Sequence, residues 1–274
     1  MKSRDALLPP FVQATYDELA PIFTENAAAN VPESPVNYPV KRYVILMTPR
    51  SGSTVLSAAL AKTGVLGRPG ERFNRASGYV QELARKTGAR DLAGLIDQVV
   101  NTSLTPNGVS GIKGGLHQVL PYMMTRHWRD QNADTLYLYL TREDVLRQAV
   151  SRYKGMETKI WHFRGEETRE SRKELLEVPY DFDAIQKQVH YIVEMMCDYE
   201  MYFARLGILP YRLTYEQVTS QMPEIVAEIA RRLDVTLDRE ITLEEAGMEK
   251  LADENSEALI EQFKCDIRRR LDAQ

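Results

Sequence analysis

The chain has 274 residues, 43% hydrophobic and 27% charged, with a formal net charge of −4, which suits a globular protein large enough to bury one sizeable core. That balance excludes a generally basic nucleic-acid binder but leaves room for a local basic pocket. No apolar run approaches the ~18 residues of a membrane span, and Lys2 and Arg4 are not followed by the apolar stretch of a secretory signal.

In chain order, residues 1–41 read as an N-terminal arm ahead of a single domain over 42–274. Pro9, Pro10, Pro21, Pro32, Pro35 and Pro39 break up any long element there, leaving a short helix around 12–29 and an extended lead-in. The arm carries no chemistry, and its expected role is to cover the core or a dimer partner. From Tyr43 onward the pattern alternates. Short apolar runs predict strands at 43–47, 108–113, 135–140 and 208–214. Helices are predicted at 53–63, 78–87, 91–103, 117–128, 144–154, 183–206, 222–234 and 254–271. The segment 165–179 is dense in Glu, Arg and Lys without an apolar stripe, and reads as a solvated insertion. Ile185, Val189, Ile192, Val193, Met196, Tyr199 and Phe203 share one helical face and read as core or subunit interface. Short apolar strands separated by helices mean an α/β fold, a P-loop-like parallel sheet flanked by helices on both faces. Function in such sheets gathers at the carboxyl ends of the strands. Cys197 and Cys265 lie far apart, with no C-x-x-C and no His at ligand spacing. They read as free thiols of a reducing, cytoplasmic compartment.

The first strand runs into Thr48-Pro49-Arg50-Ser51-Gly52-Ser53-Thr54, a tight turn opening a helix. Such a turn leaves successive backbone N–H groups unpaired and aimed at one spot, where they favour an anion. It is not a Walker A loop: Thr48 stands where the first Gly would be, and Ser53 replaces the Lys. Arg50 carries the basic charge instead, which points away from ATP hydrolysis towards a different phosphorylated donor. A second junction repeats the logic. The strand ending at Leu140 leads through Thr141 to Arg142, with Asp144 as N-cap of a helix that carries Ser151 two turns on. Arg142 offers a rigid fork and Ser151 a hydroxyl. Two anion sites on one sheet edge suit a donor with two separated phosphate groups.

These blocks resemble the sulfotransferases that use 3′-phosphoadenosine 5′-phosphosulfate, closest to the bacterial carbohydrate branch typified by trehalose 2-sulfotransferase. Beyond Arg50-Ser51-Gly52-Ser53-Thr54, the likeness shows in Thr63-Gly64-Val65-Leu66-Gly67 with Pro69 and Glu71, and in Thr105-Pro106-Asn107-Gly108-Val109 with Gly111 and Lys113. It shows again in Arg142-Glu143-Asp144-Val145, Gln148-Ala149-Val150-Ser151 and Thr158-Lys159-Ile160-Trp161. It is good over residues 43–165, loose beyond, and leaves out the arm. The resemblance implies transfer of a sulfuryl group from that donor to a hydroxyl of a carbohydrate or glycolipid, without metal, by a homodimer. It gives Pro49, Arg50, Ser51, Gly52, Ser53 and Thr54 the phosphosulfate, Arg142 and Ser151 the 3′-phosphate, and Glu71 the role of general base. Arg50 then faces the bridging oxygen, where the leaving phosphate gathers charge. Glu143 departs from the branch's usual Pro, and Arg72 stands where relatives are aromatic, which alters the acceptor pocket.

His117 is the rival base, but Lys113 and His117 do not keep the short Lys-to-His spacing of other sulfotransferase branches. Lys113 reads as a sheet-edge lysine able to aid donor or acceptor. Trp128 and Trp161 read as packing or as stacking surfaces, Tyr215-Glu216 as a structural strand end, and Lys264, Arg268, Arg269 and Arg270 as a solvated helix face. Two other functions compete: a phosphotransferase or NTPase with a variant phosphate loop, and a non-catalytic nucleotide-binding relative. The first needs a Mg²⁺-binding Asp at a strand end, which the predicted strands do not supply.

Overall fold

A computed structural model describes residues 9–131, 133–161, 169–247 and 254–273, with the backbone alone at 169–172. Among the described residues, four strands form one sheet: β1 (Lys41–Met47), β2 (Val109–Gly114), β3 (Leu136–Thr141) and β4 (Tyr211–Thr214), in the order β2-β1-β3-β4. Every pair is parallel. Leu46 lies opposite Gly114, Met47 opposite Leu140, and Thr141 opposite Thr214. All four carboxyl ends therefore open on one edge, with the turn after β1 between those after β2 and β3.

Alternation along the strands builds two cores. Tyr43 and Ile45 of β1 face α2 (Ser53–Lys62) and α11 (Met222–Arg232), with Leu138 and Leu140 of β3 beside them. Val44 and Leu46 face the opposite way. They meet α3 (Tyr79–Thr87), α4 (Leu92–Thr102), α5 (Leu116–Met123) and α9 (Phe182–Leu206). Tyr43 crosses directly over its register partner Gly111, where an added Cβ would stand 2.3 Å from the phenol oxygen, and donates to the Leu66 carbonyl at 2.6 Å. A third cluster joins α7 (Val145–Thr158), α9 and α12 (Glu254–Asp272).

The arm is built into this body. α1 (Pro10–Ala28) runs through Pro21 and packs on α3 and α5, giving Leu19 and Ile22 to the core. Its buried Asn26 donates to the carbonyls of Ala84 and Ala89 at 2.9 and 2.7 Å.

Some expectations shift. The helix expected over 117–128 is two, α5 and α6 (Arg126–Gln131), because Thr125 Oγ1 accepts the Trp128 N–H at 3.0 Å and starts a new helix. β4 begins only at Tyr211. Gly207 takes a left-handed cap, Ile208 bonds back to Phe203, and Pro210 has no N–H to give. A short helix, α10 (Tyr215–Ser220), follows β4 at once. Within 165–179, residues 165–168 lie outside the described residues, and the rest is not wholly solvated. It holds α8 (Arg169–Leu176) and buries Leu175 and Val178. Both cysteines are exposed free thiols. Among the described residues no helix is long and apolar enough to cross a membrane.

Candidate active site

The turn after β1 is held from below. Ser51 and Thr48 are fully buried, and Ser51 Oγ donates to the Thr48 carbonyl at 2.7 Å. Gln148 of α7 donates to Thr48 Oγ1 at 2.8 Å and to the Pro49 carbonyl at 2.6 Å. Tyr199 of α9 bridges the end of β1, donating to the Met47 carbonyl at 2.8 Å and accepting its N–H at 3.2 Å. Burial pushes the Tyr199 phenol well up, which keeps it a neutral hydrogen-bonding strut.

Arg50 and Gly52 both have positive φ, 66° and 82°. Gly52 is the N-cap of α2 and provides no side-chain cap. Among the described residues, the backbone N–H groups of Arg50, Ser51, Gly52, Ser53 and Thr54 meet no acceptor, whereas those of Val55 and Leu56 turn back to the Gly52 carbonyl. An uncapped helix start with a run of free donors is an anion seat.

Arg50 folds over this seat. Its Nε donates to Ser151 Oγ at 2.9 Å and its Nη1 to the Trp161 carbonyl. Ser151 accepts here, so its own proton remains to give. Burial first, and the nearby Arg142 charge second, push the Arg50 guanidinium down to about 10. Arg142, with a side chain 11% exposed, lies 3.8 Å from Glu216 Oε1, and its buried Nε has no hydrogen-bond partner among the described residues. Its guanidinium sits over the Tyr215 ring, 4.4 Å from the centroid. Glu143 is absorbed structurally. It takes the Thr214 hydroxyl at 3.1 Å and gives its N–H to Glu216.

Glu71 lies across the β2 edge from this seat. Asn74 and Gln118 donate to its Oε2 at 3.3 and 3.2 Å, and Lys113 Nζ stands 3.6 Å from Oε1. Gln118 is itself oriented by accepting the Gly115 N–H at 2.9 Å, where α5 begins. Lys113, 7% exposed, also donates to Thr54 Oγ1 at 3.2 Å. One ammonium therefore spans the anion seat and the carboxylate.

The sequence blocks thus converge on one edge, although the contacts among them differ from a simple pairing of Arg142 with Ser151. His117 is exposed on α5 against Phe11 of α1, at a centroid distance of 4.5 Å, and Arg72 lies over the Tyr79 ring. Trp128 is core, its indole donating to Tyr137 at 3.1 Å. Trp161 is 38% exposed, with its ring against Gly155. The basic face of α12 pairs locally, Lys264 with Glu261 and Arg269 with Asp266. Sequence reasoning missed Asn74, Gln118, Gln148 and the ring of Tyr215. Of these, Gln148 lay inside a quoted block, and Gln118 stood at the third position of a helix start, the capping-box place.

Residues 42–105 and 96–266 match the Stf0 sulphotransferase family. The chain is 25% identical over 265 residues to a trehalose 2-sulfotransferase of Mycolicibacterium smegmatis, covering 83% of this chain and 96% of that one. It is 24% identical over 271 residues to a trehalose 2-sulfotransferase of Mycobacterium tuberculosis, covering 84% and 97%. A sulfotransferase domain from the curacin biosynthetic pathway is a further structural neighbour, with a TM-score of 0.35, 16% identity, and coverage of 80% of this chain and 82% of that one.

Proposed function

The chain belongs to the Stf0 sulphotransferase family, and from that premise we propose that this sulfotransferase moves a sulfuryl group from 3′-phosphoadenosine 5′-phosphosulfate to a carbohydrate hydroxyl. The observation that carries the reading is the Lys113 bridge, which joins Thr54 of the anion seat to Glu71 through one nitrogen. A base for the acceptor and a seat for the donor must lie side by side, and the bridge supports that reading.

The residues fit a donor carrying two anionic groups. The uncapped start of α2 offers amides to one, and Arg142 has a buried Nε without a hydrogen bond to offer the other. When bound, the donor supplies a sulfuryl group already activated by its link to phosphate. Glu71 takes the proton of the acceptor hydroxyl as that oxygen forms its bond to sulfur. A carboxylate has about four lone-pair sites; Asn74, Gln118 and Lys113 occupy three directions and leave room for the hydroxyl. Arg50, Lys113 and the amides of residues 50–54 meet the charge that develops as the sulfur–oxygen bond to the phosphate breaks. Ser151 and Gln148 keep Arg50 and the turn in place, so little reorganisation accompanies the transfer.

The acceptor class follows the two curated relatives, both named for a disaccharide. The test is a mass-spectrometric screen with isotopically labelled donor against trehalose, other free sugars and glycolipids, with and without EDTA. Label should appear on a sugar hydroxyl in both conditions. Label on no carbohydrate, or turnover that EDTA abolishes and Mg²⁺ restores, would move the reading to the phosphotransferase alternative.

A further inference from the structure

The turn from β4 into α10 places an aromatic ring where the two anion sites meet. Thr214 caps α10, its Oγ1 accepting the Gln217 N–H at 3.2 Å while Gln217 Oε1 accepts the Thr214 N–H at 3.0 Å. This reciprocal box fixes Tyr215 at the first helical position. One edge of the Tyr215 ring is packed on the anion loop: a Cβ on Gly52 would lie 2.5 Å from Cδ2 and 3.2 Å from Cε2. The face of the same ring carries Arg142, and Glu216, the next residue, pairs with that guanidinium. The ring therefore touches the seat for one anion and the cation for the other.

We propose that Tyr215 is a positioning residue whose ring, wedged against Gly52 and beneath Arg142, holds the two anion sites at one separation and so selects a bisphosphate over a nucleotide with a single phosphate. The inference rests on the donor reading above. A long arginine side chain left free would have to be ordered by each incoming ligand, and a ring that holds it beforehand removes that cost. The benefit falls only on ligands that use Arg142. A residue that merely supported the fold would affect all ligands alike.

The experiment is calorimetry of adenosine 3′,5′-bisphosphate and adenosine 5′-monophosphate on the full chain and on Tyr215→Phe, Tyr215→Leu, Arg142→Ala and the Leu/Ala double variant, with thermal unfolding in parallel. Wild-type protein should prefer the bisphosphate. Phe keeps the ring and should stay within about threefold of wild type, whereas Leu should lose about 5- to 30-fold on the bisphosphate and far less on the monophosphate, the range expected for a lost cation–π contact. Adding Tyr215→Leu to Arg142→Ala should change little, since the ring then has nothing to hold. Arg142→Lys, which keeps the charge but loses the flat fork, gives an arm independent of how Tyr215→Leu folds and should reduce the preference as much. Equal losses on both ligands, an undiminished Leu effect without Arg142, or an Arg142→Lys protein with full preference would each overturn the assignment. A wild-type protein with no preference would overturn the donor reading, and this inference with it. Preference retained in Tyr215→Leu would overturn this inference alone.

Discussion

Arg50 shows how the site stores what a ligand would release. A non-glycine residue at φ 66° carries a backbone cost on the order of 1–3 kcal/mol, and here it also holds a charge among buried groups beside Arg142. Burial first, and the Arg142 charge second, press its guanidinium down to about 10, a burden on the fold that a bound anion would offset. Arg50→Ala should bind adenosine 3′,5′-bisphosphate more weakly by about 1.5–3 kcal/mol, the loss expected for a charge-assisted contact, read by calorimetry. An Arg50→Ala protein with wild-type affinity would contradict this. At Glu71, Glu71→Gln removes the proton acceptor and keeps the shape, so turnover should drop by roughly 10²–10⁴ with donor affinity retained. His117→Ala, at an exposed position of α5 against Phe11, should cost much less. Near-full turnover in Glu71→Gln with a dead His117→Ala would transfer the role to His117. The position of Arg50 and Arg142 at the strand ends was legible because one stands in the short turn after β1 and the other directly follows β3. The place of Glu71 at this edge was legible only from its block; Lys113 was read as a sheet-edge lysine but not as its partner, and Asn74 and Gln118 were not read at all, because three separate segments bring them together.

Elements were more readable than their contacts. The unbroken apolar run Tyr43-Val44-Ile45-Leu46 predicts a strand buried on both faces, and the structure sends Tyr43 and Ile45 one way and Val44 and Leu46 the other. Boundaries moved wherever a local hydrogen bond outweighed periodicity. Thr125 cut one expected helix in two, and Thr214 with Gln217 started a helix that has too few turns to show a period. The helix expected around 12–29 is α1, whose 19 residues run through Pro21; what the prolines hid is how firmly it docks. What decides there is tertiary: α1 buries one face on α3 and α5, and Asn26 satisfies two carbonyls at the end of α3. Asn26→Ala would leave the buried Ala89 carbonyl without a hydrogen-bond donor among the described residues, while Ala84 keeps the Ala89 N–H, at a cost of about 1–3 kcal/mol. The melting temperature should fall by several degrees in a differential scanning experiment. An unchanged melting temperature would mean that α1 is not part of the cooperative unit. Glu18 also pairs with Arg75 and takes a bond from Gln81, so the arm braces the segment that follows Glu71.

At the scale of the molecule, one sheet edge is worked from both sides. β1 lies between β2 and β3, so its turn can face Lys113 and Glu71 across one neighbour and Arg142 across the other. Helices α7 and α9 reach in behind it with Gln148, Ser151 and Tyr199. Under the proposed function, this division would give the β2 side the acceptor chemistry and the β3 side the second anion of the donor. The central claim is that division. The most direct measurement of it is the ratio of adenosine 3′,5′-bisphosphate to adenosine 5′-monophosphate affinity, by calorimetry, in wild type, Arg142→Ala and Glu71→Gln. Loss of a charge-assisted contact at Arg142 should cost about 1.5–3 kcal/mol on the bisphosphate and almost nothing on the monophosphate, while Glu71→Gln should leave both affinities where they were. Equal losses on the two ligands in Arg142→Ala, or a bisphosphate affinity that collapses in Glu71→Gln, would contradict it.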